Sequence, residues 1–186
     1  MFRTTGATAT ITLTAATAAA AALALGAALV PANAEAVVYE SRTVRATLPD
    51  GGVERATLDV PTGYERDRLD RHTVAFVERN GAGRVISMDL APESDTLREL
   101  RQERRQLRKE YADSYREFAF RVNDRDSNVR AKWVYTFRAE GTDDTEPYVT
   151  VYLMDHNQLR VVGKVSERKQ VNFIKDHVVG SVEFSS

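Results

Sequence analysis

Between Leu97 and Tyr115 the hydrophobic period of this chain changes once, from two residues to about 3.6, and afterwards it changes back. Leu97, Leu100, Leu107, Tyr111 and Tyr115 fall within an arc of about 80° when plotted at about 100° per residue, which predicts an amphipathic helix with one packing face. We place it at about residues 94 to 114. Thr96-Leu97-Arg98-Glu99 reads as a capping box, with Ser94 and Asp95 as competing starts. A lone long helix set among alternating segments requires a sheet for that helix to cover.

The alternating segments supply the sheet. Val37, Tyr39 and Thr43 to Leu48 read as extended, Pro49-Asp50-Gly51-Gly52 as a turn, and Val53 to Val60 as the returning strand. In Pro61-Thr62-Gly63-Tyr64, Gly63 permits a positive φ where the chain changes direction. A polar stretch rich in Asp and Arg follows. Thr73 to Glu78 and Arg84 to Leu90 then flank Asn80-Gly81-Ala82-Gly83 as a second hairpin.

Beyond the helix, Glu117 to Val122 and Val129 to Arg138 are strands, and Ala131, Trp133, Tyr135 and Phe137 would line one face of the second. Tyr148 to Met154 and Gln158 to Val165 form a last hairpin across Asp155-His156-Asn157. Ser166 reads as the N-cap of a closing helix on which Val171, Phe173, Ile174 and Val178 recur at helical spacing, and Gly180 ends it. The expected class is α+β, a twisted antiparallel sheet sandwiched by helices.

Residues 1–34 read differently. Arg3, an apolar core from about Ile11 to Val30, and Ala32-Asn33-Ala34 have the layout of a secretory signal peptide cut ahead of Glu35, leaving residues 35–186 as one domain. The competing reading is an uncleaved membrane anchor, which would make this a signal-anchored structural protein. Glu35 stands where a lipoprotein would need cysteine, and the chain contains none, so neither lipidation, nor a disulfide, nor a thiol nucleophile is available. The expected location is therefore extracellular or wall-associated. Of 26 Lys+Arg and 27 Asp+Glu only Arg3 lies in the leader, so the remainder carries a formal net charge of -2, which gives no reason to expect nucleic-acid binding.

Three short motifs, Leu58-Asp-Val-Pro-Thr-Gly-Tyr64, Ala131-Lys-Trp-Val-Tyr-Thr-Phe137 and Ser181-Val-Glu-Phe184, occur in this order around the long helix. Together they resemble the PsbP-like superfamily, and within it the secreted LpqN-type proteins of bacteria, over about residues 43 to 185. Tyr64 stands where that pattern usually has Trp, and the lipobox cysteine of LpqN-type members is absent. The resemblance implies an α/β/α sandwich with a binding or scaffold role, and it carries no catalytic residues across.

Specific chemistry is sparse. His72, His156 and His177 have no metal-ligand spacing, and Asp143-Asp144-Thr145-Glu146 lacks the glycine and spacing of a calcium loop. There is no Gly-x-Ser-x-Gly elbow, and Gly51-Gly52 and Gly81-Ala82-Gly83 read as turns instead of phosphate loops. No metal and no cofactor are expected. A pair of carboxylates for hydrolysis depends on the fold, so a secreted hydrolase acting on wall material stays as the alternative.

The long helix offers a sharper feature. Arg98, Arg101, Arg105, Arg108 and Lys109 cluster along one flank, while Glu99, Glu103 and Glu110 gather on the other. Such a ridge suits an anionic polymer, a lipid surface or an acidic partner, although a merely solvated basic face has the same pattern. Arg104 falls within the apolar stripe, so its stem should follow the core edge and its head should reach solvent or a carboxylate. Trp133, Tyr135 and Phe137 would either floor a ligand pocket or form core beneath the closing helix. The leading expectation is a secreted, non-enzymatic binding or accessory module of the cell envelope, its partner or small ligand unknown.

Overall fold

A computed structural model of the chain describes residues 37–48, 51–79, 81, 83–90, 96–123, 129–138 and 146–185. The leader, the start of the long helix before Thr96, and Asp143 to Thr145 lie outside the described residues.

Among the described residues, ten strands and two α-helices follow in the order β1 (Tyr39–Thr47), β2 (Val53–Pro61), β3 (Tyr64–Arg68), β4 (Thr73–Glu78), β5 (Val85–Asp89), α1 (Thr96–Glu110), β6 (Arg116–Val122), β7 (Ala131–Thr136), β8 (Pro147–Met154), β9 (Asn157–Lys164), α2 (Arg168–Gly180) and β10 (Glu183–Ser185). They form a three-stranded sheet, β1-β2-β10, and a seven-stranded sheet, β3-β4-β5-β9-β8-β7-β6. All strand pairs are antiparallel. The class is α+β, as expected.

Alternation along the strands sorts the buried side chains into two clusters, one on each face of the large sheet. On one face, the small sheet (Val44, Ala56, Leu58, Val60) and α2 (Val171, Ile174, Val178) pack against Phe76, Ile86, Met88 and Leu159. On the other, Leu100 and Leu107 of α1 cover Trp133, Tyr135, Val151 and Val162. Leu97, Tyr111 and Tyr115 pack at the margin of this second cluster, so every residue of the helical stripe is used.

Among the described residues, the tight turns rest on glycine and one stand-in. Gly63 takes φ 86°, turning the chain from β2 in the small sheet to β3 in the large one. The β8–β9 hairpin closes through Asp155 at φ 56°, a left-handed position that aspartate tolerates better than most residues.

Several expectations are corrected. The polar stretch after Tyr64 is a strand, β3, whose YERDR sequence exposes four charged side chains along a sheet edge. Charge at an edge blocks further pairing and erases the apolar alternation that would reveal a strand. The long helix ends at Glu110, and Tyr111 to Ser114 form a turn in which Ser114 Oγ accepts the Arg138 N–H at 3.1 Å. Ser166 does not cap the closing helix: a 3-10 turn, Val165–Glu167, precedes it, and the N-cap residue Glu167 makes no side-chain capping bond. Phe173 points outward at 60% exposure, about opposite the buried Val171, Ile174 and Val178. The aromatic face of β7 lies under α1, and the closing helix covers the opposite face.

Candidate functional site

Two acidic anchors and two buried leucines fix α1 to the sheet. Arg104 lies between Leu100 and Leu107, donating from Nε and Nη2 to the two carboxylate oxygens of Glu117 at 2.6 and 2.7 Å, with its guanidinium 4.3 Å from the Phe120 ring centroid. Its head reaches a carboxylate, one of the two ends its place in the stripe allowed. Glu117 also accepts from the Tyr115 hydroxyl at 2.8 Å and from Arg108 at 3.0 Å. Hydrogen bonding from Arg104 outweighs burial and holds the Glu117 carboxyl below its usual range. On the acidic flank, Glu103 receives Arg160 of β9 in a two-pronged pair at 2.9 and 2.6 Å.

These bonds occupy Glu103 and Glu117 and leave the basic flank outward. Arg98, Arg101, Arg105, Arg108 and Lys109 are all exposed. Of the five, Arg108 is tied to Glu117, whereas Arg101, Arg105 and Lys109 form no ion pair among the described residues. Leu97, Arg98, Arg101 and Arg105 line an open depression of about 330 Å³. A guanidinium-lined hollow with an apolar side chain at one end can take an anionic group carrying an apolar portion.

Trp133, Tyr135 and Phe137 form a stacked row with ring centroids 4.0 and 6.2 Å apart. They are 0%, 1% and 5% exposed, so the row lies inside the core beneath α1. The Trp133 indole donates to the Tyr115 hydroxyl at 3.1 Å, which links the row to Glu117 and the arginines.

At the far end of the same sheet face, Asp70 and Asp89 meet around Thr73. Asp70 accepts the backbone N–H groups of His72 and Thr73 at 2.8 and 2.7 Å and the Thr73 hydroxyl at 3.0 Å. Burial and the Asp70 charge push the Asp89 carboxyl up to about 6, against the opposing pull of Arg160 and His72. Sequence spacing could not bring these together, because Thr73 and Asp89 face each other only through the β4–β5 register.

The histidines stay apart. His156 lies between Glu54 and Asp155, both at 2.9 Å, and His177 contacts Asp59 at 3.3 Å while stacking on Tyr39. Hydrogen bonding to Glu54, opposed by burial, raises the His156 pKa. Among the described residues no group of three His, Cys, Asp or Glu is disposed to hold a metal ion, and no helix is long and apolar enough to cross a membrane.

No family model and no curated protein sequence matches the chain. Among solved structures, it is similar to the Ran-binding protein Mog1p of Saccharomyces cerevisiae, at 11% identity and a TM-score of 0.49 over 78% of this chain and 96% of that one. It is also similar to cyanobacterial PsbP from Synechocystis sp. PCC 6803, at 11% identity and a TM-score of 0.47 over 87% of this chain and 99% of that one.

Proposed function

We propose that this protein is an exported, non-enzymatic binding module of the cell envelope, of the LpqN type within the PsbP-like superfamily, and that the outward flank of α1 docks an anionic surface or polymer. The observation that carries this is the partition of charge on α1: Glu103 and Arg104 are spent on anchoring, while Arg101, Arg105 and Lys109 stand exposed and pair with no carboxylate among the described residues. Arg101 with Arg105, and Arg105 with Lys109, are like-charged pairs one turn apart, each costing a few tenths of a kcal/mol in isolation. An anionic partner relieves that repulsion. Export is supported by the leader layout of residues 1–34.

The test is cosedimentation with phosphatidylglycerol vesicles and with lipoteichoic acid, comparing the wild type with Arg101→Gln/Arg105→Gln/Lys109→Gln. Retention should fall with the triple change and with added salt, at unchanged thermal stability. Equal retention of the two proteins overturns the ridge. Amino-terminal sequencing of protein from the medium should give Glu35.

One observation favours a second reading, a hydrolase. Asp89, titrating near 6 beside ionised Asp70, has the character of a general acid. Activity on wall glycans abolished by Asp89→Asn would establish it, and wild-type inactivity on such substrates would remove it.

A further inference from the structure

Register places like charges side by side on the face of the large sheet opposite α1. Arg121 of β6 is directly across from Lys132 of β7, and Lys132 is directly across from Tyr152 of β8. Directly opposed like charges destabilise a sheet, and an arginine facing a lysine gains nothing from the pairing itself. Lys132 Nζ lies over the Tyr152 ring, 5.4 Å from its centroid.

A third cation comes from α2. Lys175 is only 5% exposed, and its ammonium is held by Asn172 Oδ1 at 3.0 Å and Asp176 Oδ1 at 3.1 Å. Burial, then the charge of Lys175, pull the Lys132 pKa below its usual value, with Arg121 adding to the effect. Asp176 is the opposing carboxylate, and its side chain is 71% exposed. Among the described residues, these three cations are set against one carboxylate, a surplus of two positive charges.

We propose that Arg121, Lys132 and Lys175 form a binding site for the phosphate group of a small ligand, seated beside Tyr152 where β7 and β8 meet α2. A phosphate monoester carries a charge of about -1.5 to -2 at neutral pH, matching the surplus, whereas a single carboxylate would leave half of it unanswered. It also offers enough acceptor oxygens for two ammonium groups and a guanidinium at once. Lys175, fixed by Asn172, is pre-positioned, and the more accessible Lys132 and Arg121 close on the ligand. This site is separate from the α1 ridge and lies on the opposite sheet face.

The experiment is calorimetric titration of inorganic phosphate into the full chain at constant ionic strength set with chloride. It is repeated with Lys132→Met, with Arg121→Gln and with the triple α1 variant, and in parallel with phosphatidylcholine vesicles containing phosphatidic acid. Wild type and the α1 variant should bind free phosphate alike, and Lys132→Met should bind about tenfold more weakly or not at all. Arg121→Gln, at an exposed edge position, should weaken binding with the fold intact. Without phosphate, Lys132→Met should melt higher than wild type, since the opposed charge is gone. Binding of neither free phosphate nor phosphatidic acid vesicles by the wild type, or equal binding by Lys132→Met, overturns the site. Loss of binding in the α1 variant instead assigns the phosphate to the ridge and also overturns it. Lys132-dependent binding of vesicles alone replaces the small ligand with a lipid headgroup.

Discussion

The Ser181 hydroxyl accepts the backbone N–H of Asp59 at 2.8 Å and donates to the Val178 carbonyl at 2.8 Å. This one side chain joins the end of α2 to the middle of β2, and with it two motifs that are far apart in sequence. Ser181→Ala should cost about 1–2 kcal/mol, because a partly buried N–H loses its acceptor. Urea unfolding would show this, and Ser181→Thr should recover part of the loss.

Trp133 is the only tryptophan and is fully buried, so its fluorescence reports on the layer beneath α1. Tyr115→Phe removes the oxygen that accepts the indole N–H and should destabilise by about 1–2 kcal/mol, with a change in the emission of the folded protein. An unaltered spectrum and midpoint would show that the indole finds another acceptor.

Glu117→Gln should destabilise the protein at neutral pH by about 2 kcal/mol, since Arg104 loses a half-buried counter-ion. The folded pKa of Glu117 is depressed, so its contribution is present above the unfolded carboxylate value and is lost as pH falls through the folded one. The difference between wild type and Glu117→Gln should therefore shrink on acidification, as followed by denaturant titration across pH.

Asp89 has the opposite sign. Its folded pKa of about 6 lies above its unfolded value, so its contribution is complete below about pH 4 and is lost as pH rises through about 6. Asp89→Asn should flatten the stability profile between those limits and leave the variant more stable than wild type at pH 7 by on the order of 2 kcal/mol. A profile that stays as steep in the variant would place the titration on another group.

A methyl group at Gly163 would strike Val171 Cγ2, because β9 and the first turn of α2 approach there without room for a side chain. Gly163→Ala should cost about 1–3 kcal/mol by overpacking, and Val171→Ala in the same chain should restore part of it. Additive losses in the double variant would exclude the steric account.

Period and turn chemistry made the helices and most strands legible in the sequence. Leu100 and Leu107 mark the buried face of α1, and Gly51 and Gly63 adopt the positive φ their turns require. The strand β3 was not legible, because an edge strand of charged residues has no apolar alternation to read. Arg104 could be set apart from the ridge by its place in the stripe, but neither its partner nor that of Arg108 could be named, since Glu117 lies on a different element. The Asp70–Asp89 and Arg121–Lys132 relationships depend on strand register, which a single sequence specifies only once the pairing partners are known. For the same reason, the sequence points the aromatic row at the closing helix or a ligand pocket, whereas the fold sets it beneath α1.

Most strand pairings here are local hairpins, yet two joints are not. β5 meets β9, bringing Val85 to Val162, and β10 meets β2, bringing Phe184 to Ala56. The hairpins on either side can form early and independently, whereas the large sheet becomes continuous only when its two halves dock at β5–β9. The small sheet is complete only when β10 reaches β2. The two sheets therefore differ in what they wait for: the large one can close once the chain has been made as far as Lys164, whereas β1 and β2 have no third partner until Phe184 has been added.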